Sequence, residues 1–181
     1  LAASTTTFAQ NAVGSFSLQP KAGISIADMT DTQGTTSRIG FVGGLEGEYQ
    51  ASDIFSLSLG VNYSQEGFKM KNSDNKIKLD YINVPILANV YLTKGLAVKV
   101  GVQPGFNVGN SVTVDGNTTS SSKKDYDGIK SVALSIPVGL SYEISNVVLD
   151  ARYNWGVTKA FDGLDSKNSV FQVTIGYKFQ L

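Results

Sequence analysis

One periodicity governs this chain. Apolar residues alternate with small polar ones, and the pattern recurs eight times. In the last repeat Phe171, Val173, Ile175, Tyr177, Phe179 and Leu181 alternate with Gln172, Thr174, Gly176, Lys178 and Gln180. Successive side chains of a strand point to opposite sides, so each segment is a strand with one apolar and one polar face. No apolar run approaches the roughly 18 residues that a membrane-spanning helix needs. A sheet of eight such strands must bury or immerse one whole face, and the direction of that face sets its solvent.

The other strands are expected near Phe16–Ala27, Arg38–Gln50, Phe55–Ser64, Ile77–Leu92, Leu96–Val108, Ser131–Glu143 and Val147–Val157. The fourth changes phase: Ile77, Leu79 and Tyr81 are odd-numbered, whereas Ile82, Val84, Ile86, Ala88 and Val90 are even. A bulge near Tyr81 would keep both sets on the apolar face. Pro20, Pro85, Pro104 and Pro137 fall inside strands, where proline cannot donate to the ladder, so each is expected to mark a bulge or a strand end.

Connections alternate between long polar loops (28–37, 66–75, 109–128 and 158–168) and short turns near 51–53, 93–95 and 145–146. This predicts an all-β fold, an eight-stranded antiparallel up-and-down transmembrane barrel with short periplasmic turns and long extracellular loops. The rival is a soluble lipocalin-type barrel with its apolar face turned inward around a ligand.

Side-chain size separates the two. The polar face is mostly Ser, Gly, Ala, Asn, Gln and Thr, which suits the narrow interior of an eight-strand barrel better than a water-facing surface. Its charges are of both signs: Lys21, Glu46, Glu48, Lys99, Glu143, Asp150, Arg152 and Lys178. Inside a barrel these must pair, because an isolated buried charge is very costly, so a structural charge network is expected. Aromatics on the apolar face are also sorted. Phe16, Tyr49, Phe55, Tyr142, Tyr177 and Phe179 fall near the short turns, and Phe41, Tyr63, Phe106, Trp155 and Phe171 toward the long loops. Two aromatic belts around an aliphatic band match the two lipid–water interfaces.

Composition narrows the chemistry. Fifteen basic and fifteen acidic residues cancel, so no nucleic-acid partner is expected. The chain has neither histidine nor cysteine, which removes the commonest general base, the commonest metal ligand and any thiolate site. No catalytic, cofactor-binding or metal residue is assigned. Asp115, Asp125 and Asp127 lack the spacing of a calcium loop. Residues 1–9, Leu-Ala-Ala-Ser-Thr-Thr-Thr-Phe-Ala, read as the tail of a signal peptide, leaving 10–181 as one barrel domain.

Tyr81-Ile82-Asn83-Val84-Pro85-Ile86-Leu87 resembles a segment of PorT-like outer-membrane barrels of the Bacteroidota, a group of OmpX/OmpA-like size. Gly139-Leu140-Ser141-Tyr142-Glu143 with Leu149–Gly156 is similar to that family's penultimate hairpin, and Ile175–Phe179 to its last strand. A departure is the terminal Leu181, where many such barrels end in an aromatic. The resemblance implies a bacterial outer-membrane location and membrane lipid as the surroundings, and no catalytic activity. The expected role is non-enzymatic, through external loops or a protein partner at the loops or periplasmic rim: adhesion, envelope integrity or secretion-complex assembly. A monomer is expected, and a narrow pore for small solutes is the other membrane reading.

Overall fold

A computed structural model of the chain describes residues 11–30, 35–70, 76–114, 117–121, 132–159 and 167–181. The expected signal-peptide tail and Asp115, Asp125 and Asp127 lie outside them. The strands are β1 (Phe16–Thr30), β2 (Thr35–Ser52), β3 (Phe55–Met70), β4 (Lys76–Asn83), β5 (Ile86–Tyr91), β6 (Leu96–Val114), β7 (Asn117–Ser121), β8 (Val132–Ile144), β9 (Val147–Lys159), β10 (Lys167–Tyr177) and β11 (Phe179–Gln180). All belong to one antiparallel sheet, which β10 closes by pairing with β1. β4 and β5 form one barrel strand, as do β10 and β11, and β7 is an outlying hairpin arm on β6. The result is a closed eight-stranded barrel.

Register fixes its dimensions. Paired residues lead once around the wall from Phe16 through Tyr49, Leu57, Ala88, Val100, Val138, Tyr153 and Phe171. They return to β1 at Ile26, ten residues above the start. Eight strands with that stagger tilt by about 40° and give a backbone radius of about 8 Å. Such a lumen has room for side chains and little else.

The apolar face points outward. Val100, Val102, Leu140, Leu149, Ile175 and their neighbours are exposed, while Ser17, Ser25, Gln50, Ser56, Asn62 and Asn89 are buried inside. This inverts the lipocalin arrangement, and the soluble ligand-enclosing alternative falls with it.

Strand four corrects the expected phase change. Leu79, Tyr81, Asn83, Pro85, Leu87, Asn89 and Tyr91 all face inward, in unbroken alternation. A bulge does occur there, but on the other strand: Asp80 pairs with Gly109 and Tyr81 with Asn107, so Val108 of β6 is the extra residue. Two of the bulky inward side chains, Tyr81 and Pro85, sit against glycines of the neighbouring strands. A Cβ on Gly105 would lie 3.6 Å from Tyr81 Cδ1, and one on Gly60 would lie 3.1 Å from Pro85 Cγ.

The prolines mark no bulges. The β3 and β6 registers are the same on both sides of Val84-Pro85, with Asn62↔Asn83 followed by Leu59↔Ile86 and Asn83↔Gly105 followed by Ile86↔Val102. Pro85 ends β4 as a strand, and its carbonyl still accepts from Gly60 N at 2.9 Å. Opposite Pro20 the ladder lapses between β10 and β11, where Lys178 N donates to Asn146 O at 2.7 Å instead. A missing donor interrupts a ladder without shifting it.

The turn joining β8 to β9 carries Ser145 at φ 54, the one described non-glycine residue with positive φ. A single positive φ at the first central position of a two-residue hairpin favours glycine. Ser145→Gly is therefore expected to stabilise the barrel by up to about 1 kcal/mol, read as a higher urea midpoint in lipid vesicles. A lower midpoint would contradict the strain.

Candidate functional site

The lumen is the part of this molecule richest in chemistry. Because side chains alternate, residues two apart on a strand stack in successive tiers of the interior. Glu46 and Glu48 of β2 do so, and each organises its own tier.

Glu46 holds the middle tier. Its carboxylate accepts from Lys21 Nζ of β1, from Lys99 Nζ of β6 at 2.8 Å and from Arg152 Nη2 of β9 at 3.2 Å. Asp150 accepts from Arg152 Nη2 at 2.9 Å and lies 3.2 Å from Lys99 Nζ. β1 and β6 stand on opposite sides of the barrel, so these five side chains bridge the full lumen. Arg152 is only 2% exposed. Its close neighbour across the ladder is Gly139, where a Cβ would come within 3.2 Å of Arg152 Cβ.

Glu48 holds the lower tier, toward the short turns. Lys178 Nζ lies 2.9 Å from Glu48 Oε2 and 2.7 Å from Glu143 Oε2. Tyr91 OH donates to Glu48 Oε1, as does Ser56 Oγ at 2.5 Å. The middle tier carries three cations against two carboxylates and the lower tier one against two. The excesses therefore cancel between stacked layers, as a low-dielectric interior requires. Below them Asn11 is buried beside Ser17 and Gln180, adding a polar layer at that end.

All eight charged residues singled out from the sequence thus lie in these two tiers. Tyr91 and Ser56 complete the lower one, and sequence reasoning missed both. The signal was present in strand four, where Asn83, Asn89 and Tyr91 share one phase. The outer tier is built differently, from amides and hydroxyls around the Glu66 carboxylate. Asn83 Nδ2 donates to Ser64 Oγ at 2.8 Å, and Ser64 Oγ to Glu66 Oε1 at 2.8 Å. Among the described residues no group of three or more carboxylates is placed to hold a metal ion.

Of the aromatics, Phe16, Tyr49, Tyr142, Tyr177 and Phe179 are exposed on the outer wall, as are Phe41, Tyr63, Phe106, Trp155 and Phe171. Phe55 is half-buried. Phe16 and Tyr49 pack with ring centroids 4.8 Å apart, as do Tyr177 and Phe179.

The arrangement has close parallels among solved structures. Neisserial surface protein A superposes with a TM-score of 0.60 at 20% identity, covering 91% of this chain and 97% of that one. Ail, the attachment invasion locus protein of Yersinia pestis, gives 0.56 at 18% identity, covering 93% and 100%. At such identities the likeness is one of fold. No curated protein matches the sequence. Residues 8–162 do match a family model described as an outer membrane protein beta-barrel domain. With apolar residues on the outer wall and a polar interior crossed by ion pairs behind that match, the chain belongs to the outer membrane protein beta-barrel domain family, a family of the bacterial outer membrane.

Proposed function

We propose that this protein is a closed, non-enzymatic anchor that acts at the cell surface, through the sheet and loops of its long-loop rim. The supporting observation is how far the described sheet runs at the long-loop end. β6 continues to Val114, eight residues past Phe106, which pairs with Val132 at the start of the described part of β8. Along that extension β6 pairs with β7 on one side and with β4 on the other, while Thr35–Ser37 of β2 pairs with Phe68–Met70 of β3. Among the described residues β2, β3, β4, β6 and β7 therefore form a continuous sheet at this rim. Among the described residues β7 pairs with β6 alone, which leaves an edge of Asn117–Ser121 able to accept an extended segment of a partner.

Adhesion fits this geometry better than transport, because the two charge tiers bar the lumen. The resemblance of Tyr81–Leu87 to PorT-like barrels supports envelope or secretion-complex assembly as the second reading. Planar-bilayer recording tests the closed lumen. The purified protein is expected to give no steady conductance steps, and steady steps from the wild type would restore the pore. An epitope inserted between Ser121 and Val132 is expected to label on intact cells. Labelling only after permeabilisation would place the sheet in the periplasm and overturn the surface role.

A further inference from the structure

The wall has a second irregular seam, and a cavity lies behind it. The paired register of β8 and β9 ends at Ser135↔Gly156, although β8 begins at Val132 and β9 continues to Lys159. Beyond that point Leu134 N donates to the Thr158 side-chain Oγ1, at 2.9 Å, in place of a backbone carbonyl. Just inside is a cavity of about 30 Å³, bordered by Ser135, Asn154, Gly156 and Thr158 at the seam and by Gln103 and Tyr81 across it. Asn154 is 2% exposed, and neither its Oδ1 nor its Nδ2 has a protein partner; Gln103 Oε1 is in the same position.

Buried polar atoms without partners are costly, and a polar cavity of this size has room for roughly two water molecules. The seam also sits where water is at hand. Trp155, beside Gly156, is exposed on the outer wall in the belt nearer the long loops. An unpaired backbone stretch is prohibitive in hydrocarbon but tolerable at the interface.

We infer that this cavity is a hydration site which fills sideways, through the β8–β9 seam, with Thr158 as its latch. Water there supplies the hydrogen bonds that Asn154 and Gln103 lack. The Thr158 hydroxyl holds the two strands together where the backbone ladder does not. The middle tier of ion pairs bars water from the short-turn end, so the cavity is a blind space in the outer part of the lumen and not part of a through channel.

The test is NMR on the full chain in lipid nanodiscs. Magnetisation transfer from water is expected at the Asn154 side-chain amide. It should be absent at Asn89, which is equally buried and has an unpartnered Oδ1 of its own, but whose Nδ2 donates to Ser56 and Ser58 at 2.9 and 2.5 Å and which does not border this cavity. Thr158→Val should raise hydrogen exchange at the Leu134 amide at least tenfold while leaving Asn154 hydrated. Thr158→Ser, which keeps the hydroxyl, should exchange like the wild type. The retained electrophoretic shift of the unheated protein would show that both variants fold. An Asn154 as dry as Asn89 would overturn the hydration site. Unchanged exchange at Leu134 in Thr158→Val would overturn the latch and the sideways route.

Discussion

Glu46→Ala is expected to destabilise the barrel by about 3–5 kcal/mol, the typical cost of breaking a buried charge network by removing one partner. Glu46 is the shared acceptor of Lys21, Lys99 and Arg152. Without it three cations face Asp150 alone, inside a lumen too narrow to solvate them. Urea unfolding in lipid vesicles would measure this, followed by the fluorescence of Trp155, the only tryptophan. A charge-balanced variant separates repulsion from lost packing. In Glu46→Leu combined with Lys21→Met, Asp150 keeps Arg152 at 2.9 Å and Lys99 at 3.2 Å, and the tier keeps the single positive excess that the lower tier offsets. Most of the lost stability should return, because apolar replacement of both members of a buried ion pair is often neutral. A loss below about 1 kcal/mol in Glu46→Ala would instead mean that the tier is hydrated and held by no single carboxylate.

Val102→Arg should cost about 2–4 kcal/mol, against about 0–1 kcal/mol for Tyr142→Arg. Both side chains are exposed on the outer wall, 46% and 47% respectively. In water the two substitutions would be nearly equivalent. In a bilayer Val102 falls between the two aromatic groups, where a guanidinium must be dragged through hydrocarbon, whereas Tyr142 stands at the short-turn belt, where the same group reaches headgroups. Paired measurements in vesicles of one lipid would compare them. Equal costs at the two positions would dissolve the belt assignment, and with it the depth at which the barrel sits.

Much of this fold was legible from residues because the physics involved is local. A period of two specifies a strand, and small side chains on one face specify a narrow interior. Where the reading failed, the deciding neighbour was distant in the chain. Leu79 and Tyr81 look outward-facing by hydropathy, yet they point inward, and Gly105 of the distant β6 leaves room for the Tyr81 ring. The strands also run further than alternation shows. β6 reaches Val114, and β7, which is Asn, Thr and Ser throughout, carries no apolar–polar alternation to reveal it.

The charged residues show the same division. Their presence on the polar face was plain, and charge balance alone required that they pair. Which carboxylate meets which cation was not, since Glu46 and Arg152 are 106 residues apart in sequence. By itself the sequence determined the strand type, the number of barrel strands and the side that faces lipid, since each follows from residues adjacent in the chain. Only the tertiary structure decided the rest: the ten-residue stagger, the two charge tiers and the open β8–β9 seam. Those depend on which strands come to face one another once the sheet has closed on itself.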